Sequence, residues 1–275
     1  MNLLQRLIKK SANKLIPAFY KSKGGRFCMQ QVVEEIMQQQ CKVKHKSVDM
    51  VFCTPNWLNN YRAETFSSKE PETLEWIENI PNGSVMWDIG ANVGLYSIYA
   101  AKAKNCRVYS FEPSVFNMEL LARNIFLNQL PHQVTIVPIA LSDHLNENLF
   151  KMSSTQWGGA LSTFGEDLDQ NGDPFKEVFE YKTLGLTIHQ AVSLLNIPIP
   201  KFIKMDVDGI EHLILKGGSE VLSQVESVLV EINDEFSEQS ELSEKILKDA
   251  GLYLYKKCFE GTVVNSKQFN QWWKR

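Results

Sequence analysis

An open α/β sheet, mostly parallel and with helices on both faces, is the fold this sequence predicts. Three observations predict it. Val85–Ile89 is a short apolar run that turns on glycines, and Leu95–Ala103 after it carries apolar residues at helical spacing. A second apolar run, Arg107–Phe111, follows and ends on an acid, Glu112. Further runs at 133–137, 201–205 and 227–232 alternate with helical stretches, the pattern of βαβ units. Strand, glycine turn and helix in that order make the ligand-binding end of such a sheet.

The turn narrows the ligand. A dinucleotide site uses G-x-G-x-x-G, with glycines that admit a pyrophosphate. Here the pattern is Asp88-Ile-Gly90-Ala91-Asn92-Val-Gly94, with Asn92 where the middle glycine would stand. The first strand also ends on a carboxylate, Asp88. That group repels a pyrophosphate and suits the ammonium of a bound amino acid. Glu112, at the tip of the second strand, sits where a ribose presents its hydroxyls. An ammonium and a ribose diol are what S-adenosylmethionine offers. The plainer reading is an ordinary βαβ unit with a polar turn, which leaves two acids and two glycines at these places unexplained.

At these residues the chain resembles the FkbM family of S-adenosylmethionine-dependent methyltransferases. The resemblance is carried by Asp88-Ile-Gly-Ala-Asn-Val-Gly-Leu-Tyr-Ser97, Phe111-Glu-Pro113, Asn124-Ile-Phe-Leu-Asn128, Ala140-Leu-Ser-Asp143 and Ile203-Lys-Met-Asp-Val-Asp-Gly-Ile-Glu211. Any one block is weak. Five in this order are specific for the family, though not for a substrate. The resemblance implies a Rossmann-like class I methyltransferase fold: a mostly parallel seven-stranded sheet, an antiparallel last strand, helices on both faces, and here an N-terminal helical or mixed extension. It implies S-adenosyl-L-methionine as cofactor, held by Asp88, Gly90, Ala91, Asn92, Gly94, Glu112 and Pro113, with Ser142 near the adenine and Asp206 near the methyl. It implies O-methylation of a sugar, glycan, glycolipid or related natural product.

Composition sets the outer bounds. The 275 residues suffice for one large α/β domain with additions, read as an extension over 1–70 and a domain over 71–275. Apolar residues make up 44 % and charged residues 22 %, ordinary for a globule. A net charge of −3 argues against a nucleic-acid partner. The five cysteines are scattered without a C-x-x-C, which points to neither zinc nor a disulfide framework and fits a reducing cytoplasm.

Taken in order, residues 1–26 carry Arg6, Lys9, Lys10, Lys14, Lys21, Lys23 and Arg26 and no acid, with Leu4, Leu7, Ile8, Leu15, Ile16 and Phe19 on one helical face. Such a helix lies on an anionic membrane, here the inner face, or packs on its own domain or a second subunit. Residues 32–37 read as helix and 47–52 as strand, broken by Thr54-Pro55-Asn56. In the family this region covers the ligand end of the sheet, so Trp57, Tyr61 and Arg62 are candidates to line the acceptor site; the alternative is plain packing. Pro71 starts a helix over 72–80, ended by Pro81-Asn82-Gly83. Ser114 caps a helix over 115–129, on which Asn124 and Asn128 sit one turn apart and satisfy nearby backbone. The stretch 144–186 is turn-rich, with a hairpin and a polar insertion around Trp157 that suits a lid, or else a solvated excursion. A helix over 187–195 carries His189, a further acceptor-side candidate. Gly217-Gly218 ends the helix after the fourth strand, a helix follows at 242–250, and 252–257 with 262–264 read as a closing hairpin.

The fourth strand delivers Asp206, Asp208, Glu211 and His212 to the carboxyl edge of the sheet. A sulfonium methyl is already activated, so an enzyme must align the acceptor and exclude water. A hydroxyl acceptor also sheds its proton, which a positioned base assists. Crowded carboxylates raise one another's pKa, which makes Asp206 the foremost base, supported by Asp208 and Glu211. Two other readings stand beside it: Asp206 as a cap that orders the Gly209 turn, and the Asp-x-Asp-x-x-Glu-His cluster as a magnesium or calcium site. An NAD-linked oxidoreductase is disfavoured by Asn92 and Asp88. A non-catalytic scaffold that binds S-adenosylmethionine remains the other rival.

Overall fold

The computed structural model describes residues 3–258 and 268–275. Two exposed helices open the chain, α1 (Leu3–Tyr20) and α2 (Lys23–Met37); the stretch 1–26, read as one helix, is broken, and the helix predicted at 32–37 is the C-terminal part of α2. The break lies at Lys21-Ser22, and the Ser22 side chain caps α2 by accepting from Gly25 N. A hairpin of β1 (Gln40–His45) and β2 (Val48–Cys53) follows, then α3 (Trp57–Glu64), α4 (Phe66–Lys69) and α5 (Pro71–Glu78). Asn56 caps α3, a helix not predicted from the sequence, and Pro71 starts α5 as predicted.

The central part then alternates. It runs β3 (Val85–Ile89), α6 (Leu95–Lys104), β4 (Arg107–Phe111), α7 (Val115–Leu127) and β5 (Val134–Val137). An insertion of β6 (Ala140–Leu141), β7 (Asn146–Met152), β8 (Ser162–Phe164) and β9 (Phe179–Leu186) comes next. The rest is α8 (Ile188–Leu195), β10 (Phe202–Met205), α9 (Glu211–Lys216), α10 (Ser219–Leu222), β11 (Ser227–Asn233), α11 (Ser237–Asp249), β12 (Tyr253–Cys258) and β13 (Gln268–Lys274). The seven-stranded sheet has the order β12-β13-β11-β10-β3-β4-β5. Its five strands from β11 to β5 are parallel, and β13 lies antiparallel between β12 and β11. The predicted strand at 262–264 lies outside the described residues; the partner of β12 is β13.

Alternation along β3 feeds two cores. Val85, Trp87 and Ile89 pack on one face of the sheet, and Met86 packs on the other with Trp76, Ile98 and Phe202. The insertion is more regular than its turn-rich sequence predicts. It forms a four-stranded sheet, β6-β9-β7-β8, pinned to the first core by Phe150, Met152 and Phe164.

Asn124 on α7 and Asn128 at its C-terminal cap join the N-terminal hairpin to this frame. Asn124 accepts from Cys53 N at 2.7 Å and donates to Val93 O at 2.8 Å. Asn128 pairs with both backbone groups of Val51. Asn124→Ala therefore leaves one buried N–H and one carbonyl without partners, a loss of about 2–6 kcal/mol at about 1–3 kcal/mol each. A lower denaturant midpoint with an unchanged slope is the expected result.

Candidate active site

Strand order reverses between β3 and β10, and a crevice opens at their carboxyl ends, where ligands bind in such sheets. Gly90 makes the approach of the two strands possible. Its φ is +81°, and a Cβ there would lie 1.9 Å from the carbonyl oxygen of Asp206. The N–H groups of Gly90 and Ala91 both donate to Phe111 O at 3.0 Å. Asn92 follows with φ +50°, a region asparagine tolerates, and its N–H donates to Glu112 Oε2 at 2.7 Å. Ser114 N donates to Glu112 Oε1 at 2.8 Å. Glu112 thus ties the turn to the start of α7. Burial pushes its carboxyl up to about 7, against the pull of those two N–H groups.

Beside the turn lies a buried ammonium. Lys204 is 2 % exposed and stands in register with Asp88 on the neighbouring strand. Its Nζ is 3.1 Å from Asp206 Oδ2 and 5.2 Å from the ring centre of Tyr96. Burial alone would lower its pKa; the carboxylates of Asp206, Asp88 and Glu70 outweigh that and hold it above the usual lysine value. In return Asp206 is held below the usual carboxylate range: burial would raise it, and Lys204, with Lys69 and Arg62, outweighs that. The acids around it go the other way. Asp208 rises to about 6, through burial and then the charge of Asp206, and Glu231 rises well above its usual value for the same two reasons.

Two adjoining clefts share Gly90, Asn92, Ala160, Asp206 and Asp208. One, of about 570 Å³, is largely apolar and runs past Glu112, Pro113, Ile139, Leu141 and Phe150. The other, of about 1160 Å³, is charged: Arg62, Lys69, Glu70, Asp88, Lys204 and Glu231 line it. The loop between β7 and β8 covers both. Asn92 and Asn117 donate to Gly159 O, Arg62 donates to Gly158 O, and Asn56 and Asn59 donate to Trp157 O.

Of the residues expected at the site, Asp88, Gly90, Ala91, Asn92, Glu112, Pro113, Arg62, Asp206 and Asp208 line these clefts. Others do not. Gly94 sits at the start of α6 in the left-handed region, packed toward Leu121. Ser142 is buried, with its N–H on Leu186 O, and the wall near it is made by Ile139, Ala140 and Leu141 instead. Trp57 is 76 % exposed and stacks on Tyr61 away from both clefts. The Trp157 indole turns outward to Glu119, so its loop lines the site through Ala160 and Leu161. His189 is exposed on α8 and pairs with Glu220. Glu211 is turned inward, accepting from Val207 N, Gly209 N and Gln239, so it orders the loop after β10 instead of facing a ligand. Asp206 is no helix cap, and its lowered pKa makes it a weak base. Among the described residues no group of three His, Cys, Asp or Glu side chains is placed to hold a metal ion. Sequence reasoning passed over Lys204, Tyr96 and Glu70. A lysine two residues before Asp206 shares its strand face, which was the available signal for the first.

A model of the methyltransferase FkbM domain matches residues 88–255. The chain belongs to the FkbM methyltransferase family. The hexuronic acid methyltransferase AglP of Haloferax volcanii is 27 % identical to this FkbM chain over 161 residues, which cover 57 % of this chain and 59 % of that protein. The methyltransferase FkbM structure from Methylobacillus flagellatus is 17 % identical with a TM-score of 0.48, covering 72 % of this chain and 44 % of that one. A proposed S-adenosylmethionine-dependent methyltransferase of Streptococcus mutans superimposes with a TM-score of 0.51 at 8 % identity, over 86 % of this chain and 55 % of the other, a likeness of fold. FkbM methyltransferases use S-adenosylmethionine, and the residues here fit it. Asp88 Oδ1 and Asn92 Oδ1 are buried without a partner, and each Glu112 oxygen accepts a single backbone N–H. These acceptors suit an ammonium and a ribose diol.

Two outcomes follow from the electrostatics. Lys204→Met removes one partner of a buried ion cluster and should destabilise the chain by about 3–5 kcal/mol, measured by denaturant unfolding. The second concerns pH. Glu112 and Glu211 both titrate near about 7 when folded, against 4.5 as free groups. Groups raised in this way contribute stability that is fully present below the free value and is lost as pH rises through the folded one. Asp206 is ionised in both states across that window and is silent. The ligand-free chain should therefore be less stable at pH 8 than at pH 5.5, by roughly 2 kcal/mol from Glu112, since about 1.5 pH units lie between 5.5 and its folded value at about 1.4 kcal/mol per unit. Glu112→Gln should flatten the slope in differential scanning calorimetry.

Proposed function

We propose that this chain transfers a methyl group from S-adenosylmethionine to a hydroxyl of a sugar, glycan, glycolipid or related natural product, with Asp208 as the base. Asp208 carries the reading. It lines both clefts, and its Oδ2 accepts from Leu161 N and Ser162 N, which leaves Oδ1 for a ligand. Burial and the fixed charge of Asp206 bring it to about 6, where a carboxylate is ionised at neutral pH yet basic enough to take a developing proton. Bound S-adenosylmethionine supplies an activated methyl on its sulfonium. Asp88, Asn92 and Glu112 hold the cofactor, with Gly90 and Ala91 shaping the turn beneath it. The Gly158–Ala160 loop excludes water, and Arg62, Lys69, Glu70 and Glu231 orient the acceptor.

The charged lining, with Phe66 and Tyr96 as its aromatic members, suits a polyhydroxyl acceptor better than a flat aromatic one. The relative that methylates a hexuronic acid supports the same substrate class. Arg62, Phe66, Lys69 and Glu70 all precede residue 71, which supports reading residues 1–70 as an extension that completes the acceptor side of a domain over 71–275.

The test is transfer of labelled methyl from S-adenosylmethionine to a panel of hexoses and hexuronic acids, free and lipid-linked. Asparagine keeps the acceptor for Leu161 and Ser162 but removes the base. Asp208→Asn should therefore lower turnover by about 10²–10⁴ while keeping cofactor affinity. Normal turnover in that variant would remove Asp208 as base. Methyl found only on nitrogen or carbon would remove the O-methyl reading.

A further inference from the structure

The segment before residue 38 is not absorbed by the site. Every described side chain of α1 is exposed except Ala12, which is half-buried. Leu4, Leu7, Ile8, Leu15, Ile16 and Phe19 lie on one face and are 47–69 % exposed. A helix of 18 residues is about 27 Å long, so this is a long apolar stripe that its own chain leaves largely exposed. Stripes of this kind mark a surface that docks on something.

Charge says on what. Seven of the 29 basic residues lie in the first 26 positions, with no acid among them. The remainder of the chain keeps 22 basic against 32 acidic residues, a net −10. Arg6, Lys9, Lys10 and Lys14 occupy the part of α1 that the apolar stripe leaves, with Lys9 and Lys14 near its margins, where long cationic stems reach past an apolar surface to an anionic one. Two such helices side by side would oppose like charges. An anionic bilayer matches both the stripe and its flanks, and it repels the acidic body away from the surface. No described helix is long and apolar enough to cross a membrane, so α1 would lie in the interface plane.

We propose that α1, with the start of α2, anchors this chain on an anionic lipid bilayer. The far end of α2 is rooted beside the charged cleft: Met37 packs on Cys53, Val93 and Leu120, and Val93 lines that cleft. The anchor thus holds the cleft on a short tether from the lipid surface, whatever acceptor it takes.

Sedimentation of the full chain with phosphatidylcholine vesicles, with and without phosphatidylglycerol, tests this. Binding should be at least about tenfold tighter with the anionic lipid and should weaken in high salt. Leu7→Glu with Leu15→Glu, and separately Lys9→Gln with Lys10→Gln and Lys14→Gln, should each lower binding at least about tenfold at an unchanged melting temperature. If the leucine variant unfolds, the lysine variant decides. Absence of vesicle binding, or equal binding by wild type and variants, overturns the proposal. So does a wild-type dimer in light scattering that the leucine variant dissolves, which would make the stripe an interface between copies.

Discussion

The carboxyl edge of the sheet depends on the burial of one ammonium. Lys204 stands between Asp88, its neighbour in register, and Asp206, two residues on along the same face. A lysine buried to this degree stays charged only beside carboxylates, and carboxylates buried to this degree stay ionised only beside a cation. Once Lys204 is committed to Asp88 and Asp206, Glu112 and Glu211 have no cation of their own. They satisfy their oxygens with backbone N–H groups, and burial still lifts both to about 7. The same cluster thus sorts the acids into one held ionised and others that keep their protons more readily.

The turn and the covering loop are arranged around that cluster by backbone contacts. Gly90 lets β3 and β10 close to a distance that no side chain permits. The covering loop is held mainly through carbonyls of Trp157, Gly158 and Gly159, which accept from Asn56, Asn59, Arg62, Asn92 and Asn117. One of these donors, Asn92, belongs to the turn itself, so the loop and the turn are positioned together. Glu211 does the same for the loop after β10 from the interior side.

The frame was legible because its signals are local. The run ending at Asp88, the glycine turn, the acid at Glu112 and the Ser114 cap each act within a few residues or with a fixed neighbour, whereas Asn124 and Asn128, expected to satisfy nearby backbone, hold the distant β1–β2 hairpin. The four-stranded insertion was not legible, since pairs such as Phe150 with Tyr181 join residues far apart in sequence. Side-chain direction was equally hidden. Trp57, Trp157 and His189 are residue types that suit binding, yet Trp57 and His189 are exposed away from the clefts, and Trp157 packs beside Cys53 and Leu120 with its indole N–H on Glu119. Nor do adjacent acids reveal which one a lysine neutralises: Asp206 and Asp208 differ by two positions and titrate in opposite directions.

If burial without a cation keeps Glu112 protonated in the free chain, cofactor binding has a proton to displace. Calorimetry of S-adenosylhomocysteine binding, in buffers of different ionisation heat, measures that proton directly. A carboxylate that accepts ribose hydroxyls binds best ionised, so release of about one proton per ligand is expected below pH 7, fading above pH 8 and absent in Glu112→Gln. Binding with no proton release below pH 7, and with the same affinity in Glu112→Gln, would contradict both the placement of the cofactor and the ionisation pattern.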